Sequence, residues 1–174
     1  MLFQLLERKL CSSDVVRLVQ SIDDFLKTAN SILQRRKSRA GRSLEHHVET
    51  LLRNARVPYE MRVSVEGTVP DVLIPSAKLY LDRQWPDEKL FVVGVKRTCK
   101  DRWRQVLREA PRIPRKHILT IQAGISDTQL TEMSAASVDL IVPKGIHKEY
   151  PKSRRAELLS VDQFVDKVKA ALAQ

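Results

Sequence analysis

An aspartate and a lysine near the middle of the chain combine residue types and a spacing that could support catalysis. Asp71 follows Pro70 at the start of a short apolar run, and Lys96 follows a longer apolar run twenty-five residues after Asp71. If these runs are neighbouring strands, both charged groups can leave the same side of a sheet. Metal-dependent hydrolysis of a phosphodiester needs carboxylate oxygens to hold Mg²⁺ and a cation near the attacking water or the phosphate. Asp71 and Lys96 match these two requirements.

Two further carboxylates could complete such a site. Glu109 comes thirteen residues after Lys96, on a predicted helix that could fold back over its own strand. Glu45 lies at the edge of the apolar stripe of an earlier predicted helix, where it could add a carboxylate or orient a metal-bound water. Taken singly, each acid also fits a turn residue or an ion pair, and the lysine also fits a solvated strand end. Their joint arrangement favours a catalytic centre.

The positive charge of the chain is concentrated around these candidates. Lysine and arginine outnumber acids by 31 to 21, which gives a net charge of +10 and favours a polyanionic partner. Residues 96–116 hold nine basic side chains against two acids, and residues 35–42 hold five more basic side chains. A solvated basic face is the alternative interpretation. We assign DNA-binding roles to Arg39, Arg42 and Arg97.

A short mixed-charge segment lies inside the first of these basic stretches. Lysine and arginine can donate to the major-groove edge of guanine, whereas aspartate can accept from the amino group of cytosine. Lys100, Asp101 and Arg102 could therefore read adjacent G·C pairs, unless Asp101 only balances its cationic neighbours. Tyr80, in the loop between Asp71 and Lys96, is a candidate phosphate contact.

The apolar periodicity predicts elements that would position these residues. Helical spacing covers the first third of the chain, with a helix start near Ser21, a basic hinge at residues 35–42 and a new helix from Ser43 to about Ala55. Later helices are predicted from about Lys100 to Glu109 or Ala110, and after the capping boxes at residues 126–129 and 160–163. Strands are predicted at residues 61–65, 72–74, 90–95, 118–121 and 138–142. This alternation predicts an α/β domain with a mixed β-sheet flanked by helices.

Composition narrows the setting of the protein. The start of the chain lacks the uninterrupted apolar stretch of a signal peptide, and no run reaches membrane-spanning length. Cys11 and Cys99 are far apart and are interpreted as free thiols in a reducing compartment. These features favour a cytoplasmic protein with no membrane partner.

Five stretches of the sequence resemble the catalytic domain of the EcoRII-type restriction endonucleases, over about residues 22–168. They are RRKSRAGRSLE (35–45), PDVLIPS (70–76), GVKRTCKDRWRQVLREA (94–110), KHILTIQAGIS (116–126) and LIVP (140–143). This family is a branch of the PD-(D/E)XK nucleases with a displaced second carboxylate. The usual position of that carboxylate, two residues before the lysine, holds Gly94 here.

The resemblance implies a role for each matching position. Asp71 and Glu109 correspond to the metal-binding carboxylates, Lys96 to the catalytic lysine, and Glu45 to an upstream glutamate of the site. The base-reading triplet for the CC·GG part of the target corresponds to Lys100, Asp101 and Arg102. Two departures from an ordinary family pattern are Arg97, which places an extra charge beside the lysine, and the pair Pro111 and Pro114, which should stop the helix near Glu109.

The resemblance also implies the organisation of the protein and its activity. We expect one restriction-endonuclease-like domain over residues 1–174, with an N-terminal helical segment (1–37), a catalytic core (38–174) and no separate effector domain. We expect a homodimer that cuts each strand of a CCWGG or CCNGG sequence before the first C. The N-terminal helices and the C-terminal helix both remain candidates for the dimer interface.

Two other functions fit the sequence less well. A catalytically inactive, sequence-specific DNA-binding protein on a nuclease scaffold would retain DNA without cutting it. A basic structural or RNA-binding protein would show salt-dependent binding without preference among duplex sequences. The Asp71, Lys96 and Glu109 set argues against the first alternative, and the mixed-charge triplet argues against the second.

Overall fold

The computed structural model describes residues 5–6, 8–9, 11–12, 21–99 and 102–173. The chain divides into two compact units, Met1–Ser43 and Leu44–Gln174. The predicted helical residues 15–19, as well as Lys100 and Asp101, lie outside the described residues. The predicted domain limits stay a prediction.

A 33-residue helix, α1 (Ile22–Asn54), is the main described element of the first unit and continues into the second. Its start was predicted correctly, because the backbone N–H of Asp24 donates to Ser21 Oγ at 3.1 Å. The predicted hinge and restart at Ser43 are wrong, since helix continues through Gly41. One glycine in a helix costs only about 1 kcal/mol. In the second unit, Leu44, Val48 and Leu52 are buried and support the helix up to its predicted end before Pro58.

The second unit is built on a five-stranded mixed sheet in the order β1-β2-β3-β4-β5. The first three strands pair antiparallel, and β3, β4 and β5 pair parallel. The strands are β1 (Glu60–Met61), β2 (Val72–Ile74), β3 (Phe91–Val95), β4 (Lys116–Leu119) and β5 (Val138–Ile141). The helices after α1 are α2 (Ala77–Leu81), α3 (Trp103–Val106), α4 (Asp127–Ala135) and α5 (Val161–Ala173). Short 3₁₀ segments span Asp87–Lys89, Lys144–Glu149 and Lys152–Glu157.

Helices cover both faces of this sheet. Residues 44–54 of α1 and the apolar side of α5 pack on one face, where Phe164 and Val168 join Val93 in one core cluster. Helices α3 and α4 pack on the opposite face, around Ile118 and Leu140. All five residues of β3 are buried, as its unbroken apolar run predicted. The predicted α/β architecture is therefore confirmed.

The predicted helix caps at Ser126 and Ser160 are also confirmed, the second as a complete capping box. Ser126 Oγ accepts from the N–H of Gln129 at 3.3 Å. At the start of α5, Ser160 Oγ accepts from the N–H of Gln163 at 3.2 Å, and Gln163 Oε1 accepts in return from the N–H of Ser160 at 2.7 Å. Both helices begin directly after their predicted caps.

Two elements are shorter than the sequence predicted. The strand at residues 61–65 is reduced to β1, because Arg62 has a φ of 51° and the chain turns there; Val65 forms only an isolated bridge with Thr68. The helix predicted to reach Glu109 ends at Val106, and Ala110 has a φ of 44°. Among the described residues, no helix is long and apolar enough to cross a membrane.

Candidate active site

Strands β2 and β3 bring Asp71 and Lys96 together. The two strands are antiparallel with Val72 opposite Val93, so the residue before β2 lies beside the end of β3. Asp71 Oδ2 accepts from the N–H of Val95 at 2.7 Å and from Lys96 Nζ at 2.5 Å. The side chains of Lys96 and Asp71 are only 11% and 16% exposed. The twenty-five-residue spacing thus becomes a direct, largely shielded ion pair.

Glu109 lies next to this pair, in the turn that follows α3. Burial raises the pKa of its carboxyl, the Asp71 carboxylate raises that pKa further, and the charges of Lys96 and Lys116 oppose both effects. Glu109 Oε2 is buried and has no hydrogen-bond partner among the described residues. An ionisable oxygen held in this way, beside a second carboxylate, is arranged to receive a cation.

The donor set fits a divalent ion of the Mg²⁺ type. Mg²⁺ prefers oxygen ligands and is commonly held by one or two carboxylates, with waters and substrate phosphates completing the octahedron. Asp71 and Glu109 offer two carboxylates, and neither hydrogen bond to Asp71 uses its Oδ1. No group of three or more acidic, histidine or cysteine side chains in the described part of the chain converges on one point. Two carboxylates are nevertheless sufficient for this ion.

Glu45 is connected to the site through an arginine. The Arg62 guanidinium donates to Oε1 of Glu45 at 2.8 Å, and the same nitrogen lies 2.6 Å from Oε2 in an ion pair. The backbone N–H of Arg62 donates to the carbonyl of Asp71 at 3.1 Å. Glu45 therefore lies one residue away from Asp71 in the hydrogen-bond network, with its charge matched by Arg62.

The packing of α3 explains why the carboxylate two residues before the lysine is absent. A Cβ atom on Gly94 would lie 2.5 Å from Cγ2 of Val106. Val106 is fully buried, so the helix lies directly on β3 at this point. A carboxylate at position 94 would displace the helix that leads to Glu109.

Two residues that hold Glu109 were missed by the sequence analysis. Lys116 Nζ donates to the carbonyl oxygens of Glu109 at 2.5 Å and of Ala110 at 2.8 Å. Thr68 Oγ1 accepts from the N–H of Ala110 at 3.1 Å. A lysine at the head of a buried strand was an available signal, whereas Thr68 gave no signal because its contact lies forty-two residues away.

The predicted DNA-binding residues fall in three places. Arg102 is exposed directly before α3, and its neighbours in the triplet lie outside the described residues. Arg97 is exposed immediately after Lys96. Arg39 and Arg42 lie in the first unit, on α1, where Arg39 is half-buried and Arg42 is exposed.

A glutamine fixes the backbone that leads to the triplet predicted to read bases. Gln122 Oε1 accepts from the N–H of Cys99 at 2.7 Å, and its Nε2 donates to the carbonyl of Gly124 at 3.0 Å. The carbonyl of Gln122 accepts from the hydroxyl of Tyr150 at 2.8 Å. Gln122 was not identified from the sequence, because a lone glutamine after a strand has no distinguishing pattern.

The predicted phosphate contact at Tyr80 is wrong. Tyr80 is fully buried, its hydroxyl donates to Glu66 Oε2 at 2.5 Å and it accepts from the N–H of Arg112 at 3.2 Å. Burial and the Glu66 contact raise the pKa of Tyr80 to about 12. Its hydroxyl is therefore occupied within the protein. Cys99 is a buried free thiol whose pKa is raised by burial, as expected for a structural cysteine.

Residues 3–165 match the family model of the C-terminal part of EcoRII. The chain belongs to the EcoRII C-terminal family. It is 42% identical over 177 residues to the type II restriction enzyme EcoRII of Escherichia coli, and this match covers 93% of the chain and 44% of that enzyme. The chain thus spans less than half the length of this curated relative.

Solved structures of restriction endonucleases share the fold of this EcoRII C-terminal family member. Metal-depleted Ecl18kI in complex with uncleaved DNA has a TM-score of 0.77 at 19% identity, covering 97% of this chain and 64% of that one. The complex of the restriction endonuclease PspGI with substrate DNA has a TM-score of 0.72 at 18% identity, covering 98% and 73%. The restriction-endonuclease-like fold predicted from the sequence is confirmed.

Proposed function

We propose that this protein is a type II restriction endonuclease that uses Mg²⁺ to hydrolyse phosphodiester bonds in double-stranded DNA at a CCWGG or CCNGG sequence. The observation that carries the proposal is the Lys96–Asp71 pair at 2.5 Å beside a buried carboxylate oxygen of Glu109 that has no hydrogen-bond partner among the described residues. The 42% identity to EcoRII, a type II restriction enzyme, supports the same activity.

In this proposal Asp71 and Glu109 hold the ion, and Lys96 is the catalytic lysine. When bound, Mg²⁺ supplies charge stabilisation at the phosphate and a more acidic water. Lys96 keeps its ammonium at the end of β3 through its contact with Asp71, close to where the scissile phosphate must bind. Glu45, neutralised by Arg62, acts on the pose of Asp71 through the Arg62 backbone.

DNA recognition is assigned to basic residues of both units. Lys100, Asp101 and Arg102 read the G·C pairs, and Arg39, Arg42 and Arg97 bind phosphates. PspGI was solved with substrate DNA and Ecl18kI with uncleaved DNA, which supports DNA as the partner. The protein acts as a homodimer, so that two copies of the site address the two strands of a near-palindromic target.

The direct test is digestion of unmethylated plasmid DNA with the purified protein and Mg²⁺, with EDTA as the control, followed by sequencing of the ends. Discrete fragments that end before the first C of CCWGG or CCNGG are the expected result. Sedimentation of the protein–DNA complex checks the two-to-one stoichiometry. Intact DNA that demonstrably contains these sequences would contradict the proposal.

Asp71→Ala separates catalysis from binding. We expect it to abolish Mg²⁺-dependent cleavage while specific binding in a gel-shift assay without metal remains, because Asp71 is assigned to the ion and not to the bases. Asp166→Ala, which removes an exposed carboxylate from α5, is the matched control and should cut normally. Undiminished cleavage by Asp71→Ala would exclude this site.

The second candidate is a sequence-specific DNA-binding protein without nuclease activity. It predicts retention of specific DNA with no metal-dependent product from the wild-type protein. The intact Asp71–Lys96 pair argues against it. The digestion and gel-shift assays distinguish the two functions directly.

A further inference from the structure

A buried lysine supports the turn that carries Glu109. Lys116 opens β4, is only 3% exposed and directs its ammonium at two backbone carbonyls, those of Glu109 and Ala110. In the described part of the chain it forms no salt bridge, although the charge of the Glu109 carboxylate acts on it. Burying an ammonium without a directly paired anion is costly. A neutral residue could occupy this buried position without that cost, so the ammonium of Lys116 is expected to have a specific role.

Thr68 holds the same peptide group from the other side. The carbonyl oxygen of Glu109 and the N–H of Ala110 belong to one peptide unit. Lys116 binds the oxygen at 2.5 Å, and Thr68 Oγ1 accepts from the N–H at 3.1 Å. Thr68 is itself fixed, because its hydroxyl donates to the carbonyl of Val65 at 2.9 Å. Both polar ends of this peptide are thereby held by side chains from different strands and turns.

The clamped turn is not one that the backbone would adopt freely. Ala110 is buried and has a φ of 44°, a left-handed conformation that is unfavourable for an alanine. Relaxation of Ala110 to negative φ would rotate the peptide that follows Glu109 and redirect its side chain. The Lys116 and Thr68 contacts oppose this relaxation, since both depend on the present orientation of the peptide.

We propose that Lys116 and Thr68 are positioning residues that hold Glu109 in the pose required to bind the divalent ion. This inference rests on the proposed function, in which Glu109 is a metal ligand. A purely structural clamp would affect folding stability and leave ion affinity unchanged. A positioning clamp affects ion affinity in protein that is still folded.

The test uses Thr68→Val, which keeps the side-chain shape and removes the hydroxyl, and Lys116→Met, which keeps the length and removes the charge. Thr68→Ser restores the hydroxyl. Lys167→Met is the matched control, because Lys167 is partly exposed and lies near Asp139 and His117, away from the turn. Thermal unfolding of each variant establishes that it is folded.

Ion binding is measured by calorimetric titration of Ca²⁺ into the complex of the protein with specific DNA, where Ca²⁺ stands for Mg²⁺ without supporting turnover. We expect Thr68→Val and Lys116→Met to weaken the ion by about 10- to 100-fold, as loss of a ligand-orienting group does in other metal sites. Thr68→Ser and Lys167→Met should stay within about twofold of wild type, as should metal-free DNA binding by all variants. The half-saturating Mg²⁺ concentration for cleavage should rise in parallel.

Unchanged ion affinity in folded Thr68→Val would overturn the proposal, and this variant decides the matter if Lys116→Met does not fold. Failure of the proposed function is distinguishable, because it appears in the wild-type protein as absence of cleavage with Mg²⁺. A wild-type complex that binds Ca²⁺ without cutting DNA in Mg²⁺ would contradict the nuclease and still allow the clamp to be judged. A wild-type complex that binds no Ca²⁺ would overturn both.

Discussion

At the scale of single residues, the Glu109 carboxylate lowers the stability of the fold and is also assigned as a metal ligand in the proposed chemistry. Its Oε2 is buried without a partner among the described residues, and burial, together with the nearby Asp71 carboxylate, raises the pKa of its carboxyl. Neighbouring carboxylates repel each other when both are ionised. Such groups persist where a cation relieves the repulsion, and they reduce the stability of the metal-free protein.

Glu109→Gln should therefore stabilise the metal-free protein while abolishing Mg²⁺-dependent cleavage. The folded-state pKa of this acid is raised, so its contribution to stability falls as the pH rises from the ordinary glutamate range through the raised pKa. The stability advantage of Glu109→Gln over wild type should accordingly grow with pH. Urea unfolding between pH 4 and 8, roughly the range over which ordinary and raised carboxyl groups lose their protons, measures this advantage.

Glu88→Gln is the control, because Glu88 is exposed in a 3₁₀ segment. It should show no such pH-dependent advantage. A Glu109→Gln protein that is less stable than wild type throughout this range would contradict the assignment of an unfavourable buried charge.

At the scale of secondary-structure elements, the close approach of α3 to β3 sets the layout of the site. Gly94 leaves room for Val106, and the helix then delivers the chain to Glu109 after a single short turn. The element is only four residues long, so its position depends on packing and not on helix propensity. A side chain at position 94 would separate the two layers.

Gly94→Ala should destabilise the protein by about 1–3 kcal/mol, the usual cost of overpacking a core. The cause is the 2.5 Å approach of the new Cβ to Val106 Cγ2. Urea unfolding of Gly94→Ala, Val106→Ala and the double variant gives the coupling energy, and the double variant should be more stable than the sum of the single effects predicts.

Gly145→Ala is the matched control, since a Cβ there would meet nothing within 4 Å. It should leave stability unchanged within about 0.5 kcal/mol, as ordinary surface substitutions do. Equal effects of alanine at positions 94 and 145 would show that the contact with Val106 is unimportant.

At the scale of the whole molecule, the parallel strands place like charges at opposite ends of the strands. Arg97 follows the end of β3, beside the candidate site, whereas Arg115 precedes the start of β4. Because these strands are parallel, Arg97 lies at their carboxyl ends and Arg115 at their amino ends. Arg115 is paired with Asp139 at 2.8 Å. The two residues therefore offer equal charges in very different places.

Arg97→Gln should weaken DNA binding about equally at all sequences and reduce the dependence of log affinity on log salt by about 1, as expected for one lost phosphate contact. Arg115→Gln removes the same charge and should leave the salt dependence unchanged. Gel-shift titrations at several salt concentrations measure both. The same reduction in both variants would indicate a general charge effect and contradict a local contact at Arg97.

The sequence by itself determined the features that depend on local physics. Alternating apolar runs and helices predict the mixed sheet, and the Ser126 and Ser160 caps act within four residues of chain. Asp71 and Lys96 could be singled out because Asp71 directly precedes one apolar run and Lys96 directly follows another. The family could be recognised because the matching stretches are long.

Only the tertiary structure decided how distant segments meet. Thr68 reaches Ala110 across forty-two residues, and Gln122 reaches Cys99 across twenty-three. Such contacts leave no periodic trace, because each depends on the path of the intervening chain. The same holds for the unbroken α1, where burial of Leu44 and Val48 outweighs the local signal of Gly41 and Ser43. Sequence specifies what each segment can form, and packing between segments selects where its side chains act.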